Sequence, residues 1–138
     1  MRLVLDTGVV LASLDRTEPR HTDCRQLIER TADRVVVPAP ILCELDHLVH
    51  SRLGTSAMPL FLRGIRRGEL DVEPLEDEDL DRTIELMERY ADLDVGFVDA
   101  AVLAIVERLN EPKLATLDRK HFGGMRPRHV ESLELLPA

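Results

Sequence analysis

The segment Gly96–Val106 reads GFVDAAVLAIV, and from Phe97 to Val106 its only polar residue is Asp99. A helix that is apolar on every side is normally buried. Burying an ion costs several kcal/mol even after relaxation. Asp99 must therefore be neutral, paired, or bound to a cation. Any fold for this chain has to answer for that carboxylate, and the same tension recurs along the sequence.

At 138 residues, with 44% hydrophobic and only 3% aromatic residues, the chain suits one domain, taken as residues 1–138, with a core of Leu, Val, Ile and Ala. No apolar run is long enough to span a membrane. The N-terminal MRLVLDTG carries an acid within its apolar stretch and lacks a signal-peptide layout, so a cytoplasmic protein is expected. Cys24 and Cys43 form no CxxC motif and read as reduced thiols, and no Cys/His set has structural-zinc spacing. The net charge of −8 works against indiscriminate polyanion binding. That charge is uneven, however. Residues 69–94 hold 12 acids and 2 bases, whereas Lys113–Arg128 holds Lys113, Arg119, Lys120, Arg126 and Arg128 against Asp118 alone.

Along the chain, Arg2–Leu5 reads as a short buried strand, followed after Asp6-Thr7-Gly8 by an apolar helix over Val9–Leu14. Pro19–Ala32 has near-helical spacing, Val35–Val37 is a β-branched strand, and Pro40 suits a first helical position. Helices are expected over Ile41–Leu53 and Ala57–Arg67, and a strand at Leu70–Val72. A further helix over Asp77–Tyr90 is expected to turn Leu80, Ile84 and Met87 toward the core. Phe97–Leu109 is the buried helix, Leu114–Leu117 a strand, and Val130–Leu136 a last edge strand.

Strands alternating with helices predict an α/β fold of three layers, a mainly parallel sheet of four to five strands flanked by helices. In such sheets, sites form beyond the carboxyl ends of the strands. Asp6 and Asp118 each follow a strand, and Glu44 and Asp99 lie in the first turns of helices that begin at the same edge. Four carboxylates in one pocket need a counter-charge. Hard divalent cations supply it, and the oxygen-only donor set favours Mg²⁺, with Mn²⁺ as a substitute, over zinc. Such a site predicts phosphodiester hydrolysis by metal-activated water. Thr7 and Thr116 adjoin two of the acids as supporting hydrogen-bond donors. Sixteen of the 18 bases are Arg, whose planar fork suits phosphate. Arg119, Lys120, Arg126 and Arg128 are therefore candidate phosphate contacts, with Arg16 and Arg20 beyond them.

The segments LVLDTGVVLASL, PAPILCELDHLV, DVGFVDAAVLAIVERL and LATLDRKHF resemble, in order and spacing, the four signature blocks of PIN-domain ribonucleases. The likeness is to VapC-type toxins of bacterial toxin–antitoxin pairs in particular. The resemblance implies a PIN fold, Mg²⁺- or Mn²⁺-dependent endoribonuclease activity, a homodimer, and a cognate antitoxin lying in a groove. It assigns Asp6, Glu44, Asp99 and Asp118 as the metal-binding and catalytic acids, with Asp94 a lesser candidate. The third position of the first block, often a hydroxyl residue, is Gly8 here.

Two other constellations are weaker. Asp6-Thr7-Gly8 matches an aspartic-protease triplet, but a helix-like run follows it, and Glu44-x-x-His47 lacks the second pair that a di-iron bundle needs. The alternative from another class is a non-catalytic, Mg²⁺-binding, phospho-receiver-like signalling domain. It requires paired acids early in the chain, and Asp6 has no acidic neighbour. His121 reads as an ordinary loop residue after the Arg119–Lys120 pair. Met58, Leu60, Phe61 and Leu62 are either core or interface.

Overall fold

A computed structural model describes residues 1–138. Strand β1 (Arg2–Val4) leads into helix α1 (Thr7–Leu14), and α2 (His21–Arg30) returns the chain to β2 (Arg34–Pro38). Helices α3 (Ile41–Leu53) and α4 (Ala57–Arg66) connect β2 to β3 (Asp71–Glu73). Then come α5 (Asp77–Arg89), a single 3₁₀ turn (Ala91–Leu93), α6 (Phe97–Arg108), β4 (Lys113–Ala115), the short α7 (Arg119–Gly124) and β5 (Glu134–Leu136). No helix is long and apolar enough to cross a membrane.

All strand pairings are parallel: β1 with β2, β2 with β3, and β4 with β5. Leu5 bridges in parallel to Ala115, and Asp6 N–H donates to the Ala115 carbonyl at 2.9 Å, which joins the two ladders edge to edge. The resulting order is β3-β2-β1-β4-β5, at the upper end of the four to five strands expected. Helices α1–α4 pack among themselves, as do α5, α6 and α7. For this strand order, the right-handed rule for parallel crossovers assigns the two groups to opposite faces of the sheet. The strand order reverses between β1 and β4, the position at which doubly wound sheets open a crevice.

The core is aliphatic, as the composition implied. Val4, Val9, Val37, Ile41, Leu45 and Leu114 are fully buried, and α6 contributes an unbroken buried run from Ala100 to Val106. Each fully buried Val, Leu or Ile side chain stabilises the fold by about 1.5–3 kcal/mol. Helix α3 has the expected limits, ending at Gly54, whose φ of 83° is a left-handed value that favours glycine. Pro40 precedes the first helical residue instead of occupying that position.

Helix α5 corrects one expectation. Leu80 and Ile84 do not face the core: they are 42% and 55% exposed, and Met87 is only half-buried. The buried residues are Asp79, Arg82, Thr83 and Leu86. The reason is the partner helix. Arg82 forks onto Glu107 of α6 with bonds of 2.8 and 3.1 Å, and Arg108 of α6 reaches Asp79 at 3.1 Å and Glu73 at 2.8 Å. Charge pairing across α5 and α6 outweighs the apolar stripe in setting the helix's rotation. The candidate interface residues also divide: Met58 and Phe61 pack against the core, whereas Leu60 and Leu62 are exposed.

Candidate active site

Asp6, at the end of β1, caps α1, and its Oδ1 accepts the Thr7 N–H at 2.8 Å. Its Oδ2 accepts from Thr116 Oγ1 at 2.8 Å. The same Thr116 hydroxyl accepts the Asp118 N–H at 3.0 Å, so one side chain at the end of β4 ties two of the predicted acids together. Thr116 is completely buried, which explains how a hydroxyl can hold this position with precision. Thr7 Oγ1, beside Asp6, is buried with no hydrogen-bond partner.

Asp118 caps α7 by accepting the His121 N–H at 3.0 Å, and its Oδ2 lies 2.7 Å from His121 Nδ1. Asp99, on the first turn of α6, places its Oδ2 3.4 Å from the same Nδ1. The other ring nitrogen, Nε2, lies 3.2 Å from the Leu93 carbonyl. Acceptors on both sides call for a proton on each nitrogen, and that form is the imidazolium. Asp118, by its hydrogen bond and charge, raises the His121 pKa accordingly. Helix α7 comes close to Leu93 because Gly124 has no side chain; a Cβ there would meet Leu93 Cδ2 at 2.5 Å.

Asp6 is only 5% exposed, and burial pushes its pKa up to about 7, against the pull of the Thr116 and Thr7 hydrogen bonds. The Asp99 and Glu44 charges push the same way. Asp99 rises to about 6, again chiefly through burial, with Asp118 and Glu44 adding and His121 opposing. Glu44 is itself exposed, on the first turn of α3, yet its field reaches both Asp6 and Asp99.

The structure thus brings Asp6, Asp99 and Asp118 together beyond β1 and β4, with Glu44 at the rim. None of the four is paired with an arginine or lysine; the one cation among them is His121. Asp94 is exposed, with a left-handed φ of 57° at the end of the 3₁₀ turn. Of the basic candidates, Arg119 donates to the Pro137 carbonyl at 2.8 Å and Arg128 pairs with Glu85, which leaves Lys120 and Arg126 exposed and free. Sequence reasoning missed His121. Its signal was the Asp118-x-x-His121 spacing, which puts both side chains on one turn of a helix.

Hard carboxylate oxygens from separate segments, an orphaned buried hydroxyl, and no guanidinium or ammonium among them fit a divalent cation. The PIN-domain family model matches residues 3–123. The chain belongs to the PIN-domain family. Ribonuclease VapC26 of Mycobacterium tuberculosis is 31% identical over 125 residues, spanning 91% of this chain and 93% of the relative. Among solved structures, VapC20 of M. tuberculosis, a sarcin–ricin loop cleaving toxin, matches with a TM-score of 0.77 at 21% identity, over 95% of this PIN domain and 99% of that chain. FitAcB from Neisseria gonorrhoeae matches at 0.67 and 15% identity, over 98% and 96% respectively. At these identities the structural likeness is one of fold. The family match leaves the receiver-like alternative without support.

Proposed function

We propose that this PIN domain is a metal-dependent endoribonuclease of the VapC type that hydrolyses RNA phosphodiester bonds and is restrained by a cognate antitoxin. The observation that carries the reading is the set of acids at the β1/β4 crevice with no arginine or lysine to match them. Its similarity to a named ribonuclease, VapC26, supports the same conclusion. Asp6, Asp99 and Asp118 would hold the ion, Mg²⁺ or Mn²⁺, with Glu44 completing the set from the rim. Such an ion supplies Lewis acidity toward a phosphate oxygen and lowers the pKa of water.

The chain's own residues prepare the crevice. Thr116 keeps Asp6 and Asp118 in fixed register, and Thr7 N–H orients Asp6. The buried run Ala100–Val106 that follows Asp99 on α6 excludes water from that flank, which strengthens the charge interactions at the crevice. Lys120 and Arg126, unpaired and exposed, would draw the RNA backbone along the α7 side. The exposed Leu60 and Leu62 on α4 offer apolar surface for a second copy of the chain, and the acid-rich crevice is complementary to a basic side chain from an antitoxin.

The test is cleavage of structured RNA by the purified protein in Mg²⁺ and in EDTA. Cleavage should require Mg²⁺ and should disappear in Asp6→Asn and Asp99→Asn proteins. Undiminished cleavage by either variant would refute the reading.

A further inference from the structure

His121 is the one titratable side chain at the crevice to which the hydrolytic reading gives no task. We propose that His121 Nδ1 is a ligand of the divalent ion, together with Asp99 and Asp118. This turns the site toward ions that accept nitrogen, Mn²⁺ and Co²⁺, over Mg²⁺. The inference rests on the reading of the crevice as a cation site and adds to it a nitrogen donor and a metal preference.

Three observations carry it. First, one ligand atom from each of Asp99, Asp118 and His121 lies within 4.8 Å of the others, close enough for a single ion to span. Second, the ring is already oriented. Nε2 donates to the Leu93 carbonyl at 3.2 Å, which points Nδ1 at the two carboxylates. A backbone carbonyl on the far nitrogen is the usual outer partner of a metal-binding histidine, where it fixes the tautomer and raises ligand basicity. That carbonyl is held near α7 by the close approach of Gly124 to Leu93. Third, the hydroxyl of Thr7, 97% buried beside Asp6, still lacks a partner, so the crevice has unmet polar capacity in addition to the three ligands. When an ion binds, the Nδ1 proton leaves to solvent and the ring keeps its bond to Leu93.

Imidazole favours later first-row ions, whereas Mg²⁺ favours oxygen and retains its water. Replacing His121 should therefore weaken Co²⁺ binding at least about tenfold while changing Mg²⁺ binding far less. The experiment is pulsed electron paramagnetic resonance on the full chain loaded with Mn²⁺ alone, with calorimetric titrations of Co²⁺ and Mg²⁺. Wild-type protein should show ¹⁴N coupling to the bound ion, and ¹⁵N-histidine labelling should convert it to ¹⁵N coupling. The coupling should be lost in His121→Ala and retained in His47→Ala. The labelling arm and the His47→Ala control both keep His121 in place, so together they test the proposal even if His121→Ala fails to fold. Mn²⁺ bound at the crevice without nitrogen coupling, or a Co²⁺-to-Mg²⁺ preference unchanged in His121→Ala, would overturn the proposal while leaving the nuclease reading intact. Absence of any ion bound through Asp99 would overturn both.

Discussion

Two parts of this PIN domain bury acidic side chains, and they treat them in opposite ways. Between α5 and α6, Asp79 is only 2% exposed, and Glu73 and Glu107 lie beside it, yet each acid meets a guanidinium from Arg82 or Arg108. At the β1/β4 crevice, Asp6 meets only a hydroxyl and a backbone N–H, and Asp99 and Asp118 share one histidine. The first arrangement is complete within the chain: each acid has a guanidinium partner, the Arg82–Glu107 fork is bidentate, and the pairs tie the two helices together. The second leaves negative charge outstanding in a place where water cannot fully screen it. Burial of acids does not by itself mark a functional site. Burial without an arginine or lysine partner, at the edge where sheet topology opens a crevice, is the distinguishing feature.

The largest contrast is expected from paired substitutions. Asp6→Asn or Asp99→Asn should reduce RNA cleavage at least ~10²-fold, in line with the loss of a group that stabilises transition-state charge. Arg82→Ala should leave the cleavage rate of the folded protein nearly unchanged. It should instead cost about 3–5 kcal/mol of stability in a urea melt, because Glu107 is left buried and uncompensated. Cleavage lost equally in both variants would erase the distinction.

Metal should stabilise one region only. Mg²⁺ at about 100 times its dissociation constant should add about 2.7 kcal/mol to wild-type stability, by mass action. The increment should persist in Arg82→Ala and vanish in Asp99→Asn, as read by thermal melts with and without EDTA.

The pH dependence follows from the same imbalance. In the metal-free folded chain, Asp6 keeps its proton to about pH 7 and Asp99 to about pH 6. The unfolded chain releases them near pH 4. Between those limits the folded state binds more protons, so stability should fall as pH rises from about 4 to about 7. His121, held protonated above its ordinary range by Asp118, contributes stability at low pH that is lost on further rise, in the same direction. Denaturant melts across this range should show the decline, and saturating Mg²⁺ should flatten it.

The smallest effect should come from the free cations. Lys120→Ala and Arg126→Ala should each weaken RNA binding modestly and reduce the slope of log affinity against log salt by about 1. Arg34→Ala, which breaks an exposed pair with Asp71 on β2 and β3, should change neither.

Much of this is legible in the amino-acid sequence. The limits of α3, the parallel sheet, and the placement of four acids at one sheet edge follow from apolar periodicity and from strand-end positions. Two features are not. The rotation of α5 depends on Glu107 and Arg108, which approach Arg82 and Asp79 from 25 and 29 residues away, and no local pattern announces them. The orientation of His121 depends on the Leu93 carbonyl, a backbone group that carries no residue-type signal. Local spacing predicts what a helix presents; it does not predict what the opposing surface demands.

The most direct measurement is an anomalous difference map from a crystal of the protein soaked in Mn²⁺. The account predicts a peak in the crevice, bounded by Asp6, Asp99 and Asp118, and none between α5 and α6. A crevice without density, or a peak among Asp79, Glu73 and Glu107 instead, would contradict it.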